Sequence, residues 1–148
     1  MKIYWISSFL FFLILVLTNC AESSQNNQKT ILFPNNDSEL TLLMREMFDY
    51  YEGLKTDVEN GNLPKNIREF AEIHSAVATD PVKSNSDLYK AMSTVYLQSA
   101  ERLNTSTENV PEIFNAMIDN CMNCHQQMCP GPMVKIKKLY VKGASRNF

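Results

Sequence analysis

The stretch PEIFNAMIDNCMNCHQQM, residues 111 to 128, decides how this chain folds. Phe114, Met117, Ile118, Cys121, Cys124, His125 and Met128 recur at spacings of three and four, the period of an α-helix with one apolar face. Pro111 suits the first turn, where a missing N–H costs nothing. Cys129-Pro130-Gly131-Pro132 is a hard stop, because two prolines cannot continue the hydrogen-bond ladder. On a helix, residues at i, i+3 and i+4 share a face, so the thiols of Cys121 and Cys124 and the imidazole of His125 address one object.

Cys121-Met122-Asn123-Cys124-His125 is the C-x-x-C-H spacing of covalent haem attachment. In that chemistry the two thiols become thioethers and His125 becomes the proximal iron ligand. Three other readings compete. A structural zinc needs four protein ligands, and the chain offers few beyond Cys129 and His74. A redox dithiol needs a βαβ setting, which nothing in the sequence provides. Coincidence is the third.

Working upstream, three more helical patterns appear. Leu40, Met44, Met47, Tyr51, Leu54 and Val58 form an apolar stripe, with Asp37 or Ser38 as its cap and Gly61 and Pro64 at its end. A second helix is expected from about Asn66 to Thr79, with Ile67, Phe70, His74 and Val77 on one stripe and Pro81 closing it. A third follows Ser84 or Ser86 and carries Leu88, Met92, Val95, Ser99 and Leu103. Downstream of the stop, Met133, Ile136 and Tyr140 outline a short extra element. Lys135, Lys137, Lys138, Lys142 and Arg146 make this end basic; a solvated face, contact with haem propionates and docking of an acidic partner all fit it. The fold class expected is all-α: an antiparallel up-down-up-down four-helix bundle with a short extra C-terminal segment.

Residues 1–19 hold one charge, Lys2, followed by an apolar block from Phe9 to Leu17. That is a secretory signal pattern and is short for a membrane span, which takes about 20 residues. Leu17-Thr18-Asn19-Cys20 resembles a bacterial lipobox, with Cys20 lipidated after cleavage; Asn19 replaces the small residue usual before the cysteine, and an uncleaved anchor is the alternative. The expected organisation is a signal peptide at 1–19, a lipidated Cys20 and flexible tether at 20–36, and a haem-binding helical domain at 37–148. The domain then sits on the periplasmic or cell-surface side of a bacterial membrane, held by lipid. Loss of Lys2 takes the formal charge from −2 to −3, too small and mixed for a nucleic-acid binder. With Cys20 in the export signal and three cysteines within nine residues, the four cysteines do not suit a disulfide framework.

A C-x-x-C-H motif late in the last helix of a four-helix bundle resembles the class II c-type cytochromes, the cytochrome c-prime family, over roughly residues 38–128. In that family the last helix runs on past the histidine with a basic residue soon after; here Gln126, Gln127, Met128 and the Pro-Gly-Pro break follow. The resemblance implies one covalent haem c. It also implies that electron-carrying members take a sixth ligand from a Met of the first helix, followed by a Leu and a Gly. Met44, Leu54 and Gly61 approximate that layout. In an antiparallel bundle the N-terminal half of the first helix lies beside the C-terminal half of the last, which also favours Met44. Met47 is the neighbour one turn on, and His74 is expected to be partly exposed rather than a ligand. With eight methionines in the chain, a core Met is the bland alternative.

Two functions follow. With Met44 on iron, the protein carries electrons between redox partner proteins outside the cytoplasm. With an open sixth position beside Leu43, Met44 and Met47, it binds nitric oxide or carbon monoxide. The expected pocket has no second His, no polar distal base and no paired acid, which argues against an enzyme. Family members often form homodimers, so a homodimer is a further implied partner.

Overall fold

The structure is a computed structural model that describes residues 37–63 and 66–142. The expected signal peptide, lipidated Cys20 and tether, and Arg146, lie outside the described residues. Among the described residues there is no strand, and no helix is long and apolar enough to cross a membrane.

Three long helices carry the fold: α1 (Glu39–Glu59), α3 (Asp87–Thr105) and α4 (Val110–Met128). Between them lie a 3-10 turn at Ala71–His74 and the short α2 (Pro81–Ser84); after α4 come α5 (Met133–Ile136) and a 3-10 turn at Lys137–Leu139. Ser38 caps α1 by accepting from the Thr41 N–H at 3.2 Å. Gly61, at φ 72°, supplies the left-handed residue just past its end. Ser86 caps α3 in the same way as Ser38, accepting from the Tyr89 N–H at 3.2 Å. The most extensive helix packing joins α3 and α4. Residues 106–109 alone connect the two, so they run antiparallel along their shared packing.

The second expected helix, Asn66 to Thr79, does not form as a helix. Asn66 (φ 63°) and Phe70 (φ 55°) adopt left-handed backbone, which interrupts any α-helical ladder, and only Ala71–His74 makes a turn. The backbone groups of this leg are satisfied from outside it. Asn104 accepts from the Ile67 N–H at 3.0 Å, and the Tyr50 hydroxyl accepts from the Arg68 N–H at 3.0 Å. The Tyr96 and Tyr89 hydroxyls donate to the carbonyls of Glu69 and Ile73 at 3.1 and 2.7 Å. Ile67, Phe70 and Ile73 are buried without a helix, whereas His74 and Val77 of the expected stripe are exposed. The leg starts beside Asn104 and Tyr50 and ends where the Leu40 N–H meets the Val77 carbonyl at 3.0 Å, so it returns along α1.

The third helix is rotated from its expected stripe. Tyr89, Ser93, Tyr96, Ala100 and Leu103 face inward, while Leu88 and Val95 are about half exposed. Ring area drives the tyrosines inward, and their hydroxyls find the carbonyls just named. The core is a cluster of Phe48, Tyr51, Leu54, Val58, Phe70, Leu103, Phe114, Met117 and Ile118, closed at one end by Ile136, Leu139 and Val141.

Candidate functional site

A cavity of ≈ 660 Å³ opens between the N-terminal half of α1, the C-terminal half of α4 and the C-terminal segment. α4 contributes Cys121, Cys124, His125 and Met128; α1 contributes Met44, Met47, Phe48 and Tyr51; Ile136 and Leu139 come from the C-terminal segment. The helical period puts both thiols and the imidazole on the same wall, and α1 brings Met44 and Met47 to the same space. All four positions singled out in the sequence for iron or thioether chemistry within the described residues therefore line one space, together with Met47.

Met44 is half-buried, whereas Met47 is 6 % exposed and belongs to the core. His74 is exposed, does not line the cavity, and pairs its Nδ1 with the Ser93 hydroxyl at 3.2 Å. Cys129 is exposed at the rim.

Cys121, Cys124 and Cys129 are all free thiols. Burial pushes the Cys121 thiol up to about 12 and also raises that of Cys124, on which the neighbouring Cys129 acts second. A redox dithiol works through a depressed thiol pKa, so this environment is the wrong one for that chemistry. Among the described residues no three His, Cys, Asp or Glu side chains are grouped to hold a metal ion.

His125 has a defined orientation. Its Nδ1 lies 3.0 Å from the carbonyl of Cys129. A carbonyl only accepts, so Nδ1 carries the proton and Nε2 keeps its lone pair. Burial lowers the imidazole pKa, partly offset by that hydrogen bond, which favours the neutral ring a metal ligand requires.

Charged groups stand at the rim. The Lys135 ammonium sits 4.4 Å above the Phe48 ring centroid, and Lys83 donates to the Met128 carbonyl at 3.4 Å. Arg45 is held by Asp37 in a two-bond pair at 2.6 and 3.0 Å. Of these, only Lys135 is legible as part of a basic run; Lys83 lies in the short α2, which is too short to show a periodicity. Of two further cavity residues, Tyr51 is legible in the sequence as a ring that either leans on a haem edge or packs in the core, and Tyr89 is not singled out by it. The seven-residue spacing from Tyr89 to Tyr96, with Ser93 between, was the available signal for the true inner face of α3.

Compared with protein-family models, curated proteins and solved structures, the chain has no match.

Proposed function

We propose that this chain is a c-type cytochrome that binds one haem c and carries electrons outside the cytoplasm, tethered to a membrane through Cys20. The observation that carries the reading is the placement of Cys121, Cys124 and His125 on one wall of a largely apolar ≈ 660 Å³ cavity with Met44 on the α1 side. The donor set suits the group: two thiols at i and i+3 to anchor a macrocycle, a neutral imidazole with a free Nε2, and apolar walls for its faces. Ligand cavities generally fall at about 300–1,000 Å³, and this one lies within that range.

The haem supplies a one-electron iron couple to the site. Cys121 and Cys124 would hold it by thioether bonds, and His125 Nε2 and the Met44 sulfur would be its iron ligands. A thioether ligand raises the potential and leaves no vacant coordination site, which is the arrangement of an electron carrier. Met47, Phe48, Ile136 and Leu139, which line the cavity, would keep water from the bound group. In this reading the chain follows the up-down-up-down path of a class II cytochrome c, with the irregular leg at 66–79 standing in for the second helix. The same reading includes a signal peptide at 1–19 and redox partner proteins.

The mass of the purified mature protein tests the assignment. It should show one added haem and diacylglycerol on Cys20; an unmodified mass after full maturation refutes it. Visible spectra then choose the function. Low-spin spectra in both oxidation states support electron carriage. A high-spin, five-coordinate spectrum that changes with carbon monoxide replaces it with binding of nitric oxide or carbon monoxide.

A further inference from the structure

α4 ends abruptly, and its ending reaches back to the histidine. The Cys129 N–H closes the last turn on the His125 carbonyl at 3.0 Å. Cys129 itself then leaves helical geometry, at φ −159° and ψ 78°. Its carbonyl turns off the helix axis and lies 3.0 Å from His125 Nδ1. In a continuing helix the carbonyl of residue 129 would point along the axis to the N–H of residue 133, out of reach of a side chain one turn earlier. Here the Met133 N–H goes instead to the Pro130 carbonyl at 3.1 Å.

The cause is local. A proline disfavours the helical region for the residue before it, so Pro130 drives Cys129 into extended backbone. Pro130 also has no N–H to extend the ladder. Pro132 follows two residues later, and its carbonyl accepts the first bonds of the next turn, from Lys135 at 2.8 Å and Ile136 at 3.0 Å.

We infer that the Pro130-Gly131-Pro132 break is a positioning device for His125: it delivers the Cys129 carbonyl to Nδ1, which locks the tautomer and keeps Nε2 available to the cavity. Cys129 acts here through its backbone, not its thiol. The functional consequence rests on the haem reading. An imidazole that donates to a carbonyl is more basic and gives more electron density to a bound metal. The break therefore holds the iron potential below the value the same ligands would set without it.

Two arms test this with the full chain. Without haem attachment, ring ¹⁵N–¹H spectra at a pH where the rings are neutral read the tautomer directly. The chain has two histidines, and His74→Gln identifies the His125 signals. The expected result is an Nδ1–H ring in the wild-type chain, and its loss in the double variant Pro130→Ala, Pro132→Ala. An Nε2–H ring in the folded wild-type chain overturns the inference, and this measurement needs no variant. In protein shown by mass to carry haem, the double variant should exchange its His125 ring proton roughly tenfold faster or more, as loss of one hydrogen bond implies, and its midpoint potential should rise. Unchanged exchange and potential in that variant overturn the inference. Failure to gain haem mass counts against the functional reading alone, because the tautomer is read without it.

Discussion

The hydroxyls of Tyr51 on α1 and Tyr96 on α3 lie 2.7 Å apart in a buried hydrogen bond. The pair joins two helices that are distant in sequence, and both hydroxyls also reach the leg at 66–79, Tyr96 at the Glu69 carbonyl and Tyr51 at the Arg68 carbonyl. The two residues are 1 % and 3 % exposed, so no solvent replaces a lost partner. Tyr96→Phe removes the donor to Glu69 and should cost about 1–3 kcal/mol. Adding Tyr51→Phe should cost less than its own single value, because the shared bond is already gone. Urea unfolding of the two single variants and the double variant checks this; strict additivity would mean that the pair is not coupled.

The same burial makes stability sensitive to alkali. Burial pushes the Tyr89 hydroxyl up to about 12, and burial likewise raises Tyr51 and Tyr96 above their ordinary value of 10.0. An unfolded tyrosine ionises near 10, so each of these groups favours the folded state below that pH. The contribution falls as pH rises from about 10 through the folded values. Chemical denaturation between pH 8 and 12 should show a decline that starts near pH 10, in the sense this linkage requires. Tyr89→Phe should make the decline shallower, and an unchanged slope would remove Tyr89 as a cause.

On the haem reading proposed above, Met44 is a ligand and Met47 is packing. Met47 is in the core and should cost about 2–5 kcal/mol as Met47→Ala, with visible spectra unchanged. Met44 is half-buried beside the cavity, so Met44→Ala should cost less stability while converting the low-spin spectrum to high spin. Denaturation and absorption spectra on both variants suffice. A low-spin spectrum that survives in Met44→Ala and is lost in Met47→Ala would reverse the assignment.

Asn115 holds the cavity's far wall in place. It is 3 % exposed on α4, donates to the Val141 carbonyl at 3.1 Å and accepts from the Val141 N–H at 3.0 Å. This two-point clamp fastens the segment that carries Ile136 and Leu139. Asn115→Ala orphans both backbone groups and should cost about 2–4 kcal/mol. Amide exchange should accelerate first at Leu139 to Val141, before the long helices respond.

How much could be read in advance depended on whether the deciding interaction was local. The stripe of α1, its Ser38 cap and its Gly61 end were legible, since capping and periodicity act within a few residues. So was the stop at Cys129, which follows from Pro130 alone. The stripe of α3 differs from the expected one because Leu88 and Val95 are more apolar than Tyr89 and Tyr96, yet the tyrosines are the buried pair. Only the partners at Ile73 and Glu69 make it favourable to bury the tyrosine hydroxyls. The leg at 66–79 differs for the same reason: Ile67, Phe70 and His74 are spaced for a helix, but Asn104 and the tyrosines supply hydrogen bonds that release the backbone from it.

The sequence by itself determined three long helices and the common face of Cys121, Cys124 and His125, because a 3.6-residue period and proline's missing N–H are properties of the chain at short range. Tertiary structure alone decided which residues of α3 turn inward and that the return leg is irregular apart from one 3-10 turn. Those outcomes depend on hydrogen bonds and ring contacts between residues tens of positions apart, such as Tyr51 with Tyr96 and Asn115 with Val141. The orientation of His125 lies between the two: Pro130 writes it locally, but it shows only once the Cys129 carbonyl has turned back onto the ring.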